Sequence, residues 1–138
     1  MLECHVNRSH DSAVKADMAT ADSFEDLIAW QEAMRLVEMV YRCTTTFPRE
    51  EVFGLSAQMR RSAVSIPCNI AEGAARNSSR ELLQFLGIAN GSLGELRTQL
   101  QISIRLGFLS RDSGCIEQAT RVSRILTGLR NSVRERSR

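Results

Sequence analysis

The chain is poor in the side chains on which most enzyme chemistry depends. Its two histidines, His5 and His10, both sit near the start, so the bulk of the chain has no imidazole to serve as base or metal ligand. That excludes a Glu-x-x-His di-iron bundle. It also leaves Ser-His-Asp or Cys-His catalysis dependent on a residue outside the periodic part of the chain. The four cysteines, Cys4, Cys43, Cys68 and Cys115, show neither metal-ligand nor redox-motif spacing. They read as structural thiols in a reducing compartment, and neither a metal nor a cofactor is expected. No phosphate-loop or dinucleotide fingerprint is present. No apolar run is long enough to span a bilayer, and the first residues lack the apolar core of a signal peptide; a cytoplasmic, non-membrane protein is expected. Aromatic residues make up only 5% of the chain, with one Trp and one Tyr, so base stacking is not a main mode of contact. With two prolines and few β-branched runs, little breaks helices or favours strands.

What is abundant is Ala, Leu, Arg, Glu, Gln and Ser. At 138 residues, 43% hydrophobic and 25% charged, the chain has the size and balance of a single globular domain with a sizeable core. The net charge of +2 is unevenly spread. Residues 1–32 carry two bases against seven acids, and the remaining 106 carry sixteen arginines against nine acids. Lys15 is the sole lysine, so every base of the folded part is an arginine, the side chain suited to bidentate phosphate contact.

Residues 1–22 lack period and hydrophobicity and read as a disordered tail; Met18 is an alternative start to Met1. Residues 23–135 read as an all-α, antiparallel up-down-up-down four-helix bundle. The first helix starts near Ser23, with Asp26 completing an acidic capping box. Phe24, Leu27, Ile28, Met34, Val37, Val40, Tyr41 and Thr44 form its main apolar face, widened by Trp30, Ala33 and Leu36. That second strip is expected to be core or to meet another subunit. Phe47-Pro48 ends the helix. The second helix runs from about Ser56 to Arg76 and is kinked at Pro67, which removes the donor to the Ala63 carbonyl. Ser78 and Glu81 form the capping box of a third helix that reaches Leu106. Its seam is Leu82, Leu86, Ala89, Leu93, Leu96, Leu100 and Ile104, and Gly87, Gly91 and Gly94 inside it are read as points of close approach by a neighbouring helix. Gly107 ends it, with Phe108 and Leu109 folding back. A fourth helix starts after Ser110, near Asp112, with Ile116, Ala119, Val122, Ile125, Leu126, Leu129 and Val133 inward.

Two polar stripes stand out. On the second helix Gln58, Arg61, Ser62, Ser65, Asn69 and Glu72 fall on one side at helical spacing, and on the third Gln84, Ser92, Glu95 and Gln99 form a counterpart. Val64, Ala71 and Ala75 lie on another side of the second helix, flanked by Met59, Ala63, Ile66 and Ile70. Gln58, Arg61, Ser65, Asn69, Glu72 and Glu95 are taken as a polar seam between helices or subunits. Glu72 and Glu95 are read as partners for Arg61 or Arg97 rather than as a catalytic pair. Arg60, Arg76 and Arg80, which bracket the turn between these helices together with Arg61, are left as outward contacts. With Arg121 and Arg124 on the fourth helix they are the candidate nucleic-acid contacts, directed at phosphates. No catalytic residue is assigned.

The stretches FEDLIAWQEA, FPREEVFGLSAQMRRSAVSIPCNIAEGAAR and FLGIANGSLGELRTQLQISIRLGFL resemble the four-helix bundle family of 23S rRNA intervening-sequence proteins, to which the accessory protein of diversity-generating retroelements is similar. The resemblance covers about Phe24 to Leu129. Its most specific pieces are Ser65-Ile66-Pro67, the run Asn69 to Gly73, and Gly91-Ser92-Leu93 with Glu95. It implies a bundle that assembles as a homopentameric ring, without established catalysis. In the retroelement branch it implies binding of a reverse transcriptase and of nucleic acid through a basic surface. The function expected is therefore a non-enzymatic homo-oligomer that binds RNA or DNA backbone or a nucleic-acid-processing partner. The alternative is an interaction scaffold with no nucleic-acid role.

Overall fold

The computed structural model describes residues 23–137; the expected tail, residues 1–22, lies outside the described residues. Four α-helices account for the fold: α1 (Ile28–Thr44), α2 (Leu55–Ala74), α3 (Ser79–Arg105) and α4 (Cys115–Arg136), with short 3-10 turns before α1, α2 and α4 and no strand among the described residues. Cross-helix pairs give the directions. Ser65 meets Ser92 and Ser62 meets Glu95, so α2 and α3 run antiparallel. Cys43 and Cys115 meet near the end of α1 and the start of α4, and Glu32 meets Gln118, so α1 and α4 do too. The connections are short, which places successive helices side by side.

Periodicity explains the core. Along α3 the fully buried apolar residues are Leu86, Ala89, Leu93, Leu96 and Leu100, and along α4 Cys115, Ala119, Val122, Leu126 and Val133, at the steps of three and four that keep one helix face inward. Leu82 and Ile104, at the two ends of the predicted α3 seam, are only partly buried. Met59, Ala63, Ile66 and Ile70 supply α2's share. Truncating one of the buried leucines to Ala would cost about 2–5 kcal/mol.

The first helix departs most from expectation. Ser23 and Asp26 do form a capping box, but they cap the 3-10 turn Phe24–Asp26. Leu27 is then extended and buried, and α1 starts at Ile28. The strip that faces the core is Ala29, Ala33, Leu36 and Val40, whereas Ile28, Met34 and Tyr41 are exposed. The helix also stops earlier than Phe47-Pro48. The hydroxyls of Thr44, Thr45 and Thr46 donate back to the carbonyls of Val40, Arg42 and Cys43 at 2.8, 2.6 and 3.2 Å, offering the backbone an alternative to further helical bonds.

The α2 helix runs unbroken across Pro67, which is buried. The α3 start is as read, with the Glu81 amide donating to Ser78 Oγ at 3.1 Å. At its end the Phe108 amide reaches the Ser103 carbonyl (2.9 Å) and Gly107 the Ile104 carbonyl (3.0 Å), with Gly107 at φ 77°; this is the paired bonding of a Schellman end, which favours glycine. Phe108 then packs on Phe47, ring centroids 5.7 Å apart.

One expectation about glycine is overturned. A Cβ on Gly87, Gly91 or Gly94 would meet nothing within 4 Å, so within the chain no helix closes on them. The glycine that a close approach requires is Gly73. A Cβ there would lie 2.9 Å from Phe85 Cβ and 3.3 Å from the Leu82 carbonyl. Gly73→Ala should therefore lower the unfolding free energy by about 1–3 kcal/mol through overpacking. Gly91→Ala should leave it unchanged or raise it by up to about 1 kcal/mol. Urea denaturation of the two variants checks both.

Candidate interaction face on α2 and α3

Where α2 and α3 run side by side, small polar residues replace apolar ones on the outer edge of the contact. Ser65 Oγ and Ser92 Oγ are 2.8 Å apart. Asn69 Nδ2 donates to the Ser65 carbonyl (2.8 Å) and to Ser65 Oγ (3.0 Å), which reinforces the helical turn around Pro67. Ser62, buried, donates to Glu95 Oε2 at 3.4 Å. These groups form one side of an open groove of about 440 Å³ lined by Gln58, Arg61, Ser62, Ser65, Ser92, Glu95 and Gln99. The Gln99 Oε1 is buried with no partner among the described residues.

The predicted seam is thus assembled around Ser65 and Asn69, with Gln58, Arg61 and Glu95 lining the groove. Glu72 does not join it. Its carboxylate pairs with Arg76, four residues on and just past the end of α2, at 3.0 Å. The neighbouring Gly73 is the residue of that turn that packs against Leu82 and Phe85 of α3, and Glu72 itself stays exposed. Likewise no ion pair links Glu95 to Arg61 or Arg97 among the described residues.

A second, wider groove of about 760 Å³ shares Arg61 and Ser65 with the first and is lined further by Tyr41, Phe53, Ala57, Arg60 and Val64. Phe53 is 94% exposed, an unusual placement for a phenylalanine. On the α3 side, Ile88, Ile102 and Leu106 are also exposed; at 100° per residue they share the face of Glu95. Exposed apolar side chains therefore lie at the wider groove and along α3 above and below Glu95.

The five arginines predicted as phosphate contacts are not gathered into one patch. Arg60 lies on α2, 16 positions before Arg76 at that helix's far end, about 24 Å at the helical rise, so they do not bracket the same turn. Arg60 is half-buried: its Nε donates to Thr44 Oγ1 at 2.9 Å and its guanidinium lies 4.6 Å from the Tyr41 ring centre. Arg76 pairs with Glu72 and lies 5.0 Å from the Phe85 ring centre. Arg121 is exposed and pairs with Glu32 at 3.4 Å. Arg80 and Arg124 are exposed with no ion pair among the described residues.

Sequence reasoning missed the α1–α4 polar contact. Glu32 is 8% exposed, and its Oε2 and backbone carbonyl both accept from Gln118 Nε2, at 2.8 and 2.9 Å. With Arg121 this satisfies a carboxylate that would be costly to bury alone. A signal existed: Glu32 falls between Ala29 and Leu36 on the inward strip, and Gln118 between Cys115 and Val122. Among the described residues no group of His, Cys, Asp and Glu could hold a metal ion. No helix among them is long and apolar enough to cross a membrane.

The profile of the 23S rRNA-intervening sequence protein family matches residues 25–128. No curated protein matches. Among solved structures, the chain is similar to a protein of unknown function from the S23 ribosomal protein family of Bacteroides thetaiotaomicron VPI-5482. The two are 22% identical, with a TM-score of 0.63, over 88% of this chain and 98% of that one, which supports the fold.

The Ser65–Ser92 contact can be weighed directly. Ser65→Ala and Ser92→Ala should each lower stability by about 1 kcal/mol, and the double variant by less than the sum. A double-mutant cycle in urea showing strict additivity would remove the hydrogen bond from the account.

Proposed function

Because the chain belongs to the 23S rRNA-intervening sequence protein family, we propose that it is a non-enzymatic, cytoplasmic homo-oligomer, a pentamer, that binds nucleic-acid backbone or a nucleic-acid-processing partner such as a reverse transcriptase. The observation that supports the assembly is the number of large apolar side chains left exposed on this part of the bundle: Tyr41, Phe53 and Val64 at the wider groove, and Ile88, Ile102 and Leu106 along the α3 face that carries Glu95. Several large apolar side chains left in solvent beside polar groups suit a contact surface.

The nucleic-acid part rests on arginine. Exposed arginines are spread over the bundle, and Arg80 and Arg124 are unpaired among the described residues. Spread-out guanidinium groups suit phosphates and not base edges. In a closed ring, each weak contact is repeated in every copy and the repeats add through effective concentration.

The scaffold reading has its own support. Arg60, Arg76 and Arg121 are already engaged inside the chain, which leaves a thinner set of free cations than the sequence suggests.

Light scattering should return about five times the 15.4 kDa chain mass at micromolar protein, and Phe53→Asp should yield a smaller species with unchanged helical circular dichroism. A monomer in the parent protein counts against assembly. Binding to RNA and DNA duplexes should weaken steeply with salt, and Arg80→Ala with Arg124→Ala should reduce the salt slope by about 2 per copy engaged. Absence of affinity for either at about 50 mM salt leaves the scaffold reading.

A further inference from the structure

The end of the bundle away from the α2–α3 turn carries a pair of thiols that the proposed function does not use. Cys43 lies in the last turn of α1 and Cys115 is the first residue of α4. They are 72 positions apart, yet their Sγ atoms are 2.9 Å from each other, and both are free thiols. No sequence motif announces them; the antiparallel packing of the first and last helices brings them together.

We propose that Cys43 and Cys115 form a reversible disulfide site, closed by a hydroperoxide-class oxidant, which cross-links α1 to α4. The two sulfurs differ in access. Cys43 is half-buried, whereas Cys115 is fully buried. Burial, then the hydrogen bond with Cys43, pushes the Cys115 thiol up to about 12, so it stays protonated at neutral pH. Cys43 is therefore the thiol that meets the oxidant and Cys115 the one that resolves the product.

The steps balance. Cys43 sulfur attacks one oxygen of hydrogen peroxide, the O–O bond breaks, and Cys43 sulfenic acid and one water result. Cys115 sulfur then attacks Cys43 sulfur, the S–OH bond breaks, and the departing hydroxide takes the Cys115 proton as a second water. The two thiols lose two electrons in all and the peroxide gains them. A dithiol reductant reverses the bond by exchange.

The surroundings hold the pair in register. Gly114 (φ 82°) turns the chain into α4, and a Cβ there would sit 3.3 Å from Met39 Cε, so α1 already packs against this corner. The Cys115 amide donates to Ser113 Oγ at 3.4 Å. Closure would enclose α2 and α3 in one covalent loop and tie the first helix of the domain to the last. Under reducing conditions the pair remains as thiols; exposure to oxidant latches the bundle.

The test uses the full chain with Cys4→Ser and Cys68→Ser, so that only the pair remains, treated with a small excess of hydrogen peroxide. Three results are expected: loss of both thiols in denaturant, an intact mass lower by two hydrogen atoms with the Cys43 and Cys115 peptides linked, and a melting temperature higher by about 10 °C. Dithiothreitol should reverse all three. In the same background Cys43→Ser, and Cys115→Ala in place of a buried serine, should show no such rise. Survival of both thiols at a dose that oxidises Cys68 in the parent chain would overturn the proposal. So would Cys43 ending as sulfinic acid beside a free Cys115, or cross-linked dimers as the product.

Discussion

The close contact between α2 and α3 is the constraint on which the rest of the molecule depends. It is set at one end by Gly73, where a methyl group would collide with Phe85 and come within 3.3 Å of the Leu82 carbonyl. In the middle it is set by two serines whose hydroxyls touch at 2.8 Å. At the other end Ser103, fully buried, donates to the Gln99 carbonyl (2.8 Å) and to Met59 Sδ (3.3 Å). Small residues at intervals along two antiparallel helices bring the backbones together, and a closer approach leaves less room for apolar filling at the edge. The outer edge is then finished with short polar side chains, which is why the groove there is polar. The other two helices complete the layer: α1 packs on α2, α4 on α3, and they close on each other through Glu32, Gln118 and the cysteine corner.

How much of this was legible depended on whether a residue's role was local. The start of α3 at Ser78 and its end at Gly107 follow from side-chain and backbone geometry within a few residues, and they could be read directly. The buried rows of α3 and α4 could be read for the same reason, since each helix has one apolar face of ordinary width. The first helix has an apolar surface broad enough for two faces, and only the packed partner decides that Ala33 and Leu36 go inward while Met34 and Tyr41 stay out. Ser23 and Asp26 were a true capping box on the wrong element, because Leu27 leaves the helical path to reach the core. The Glu32–Gln118 contact and the cysteine pair join residues 86 and 72 positions apart, a separation over which no spacing rule operates. At the candidate site, helical period put Ser65 and Asn69 on one side of α2 and Ser92 and Glu95 on one side of α3, and packing decided that the two sides meet. Glu72, at the same period, was lost to Arg76, because period says which side a residue faces and not what faces it.

Charge has to be read the same way. Sixteen arginines after residue 32 suggest a basic surface, but a guanidinium has more uses than phosphate contact. Arg60 spans from α2 to α1, lying over Tyr41 and donating to Thr44. Arg76 covers Phe85, and Arg121 closes over a buried carboxylate. In each case the planar cation covers apolar surface or satisfies a buried group while keeping one edge in water. Three of the arginines named for phosphate contact, Arg60, Arg76 and Arg121, are thus engaged within the chain, and the other two, Arg80 and Arg124, lie exposed on different helices.

That dispersal and the polar groove point the same way. An interface made only of Phe53, Val64 and Ile102 would be sticky but indifferent to register. Hydrogen-bonding groups between apolar flanks penalise any alignment that leaves them unpaired, because a desolvated polar atom without a partner costs about 1–3 kcal/mol. Gln99 Oε1 already lacks one among the described residues. Arg61 and Ser65 belong to both grooves, so a partner of the proposed kind seated on the apolar side would also have to satisfy the polar side. In the proposed assembly one helix edge would supply adhesion and alignment together, and that combination would depend on the Ser65–Ser92 spacing that the close α2–α3 contact imposes.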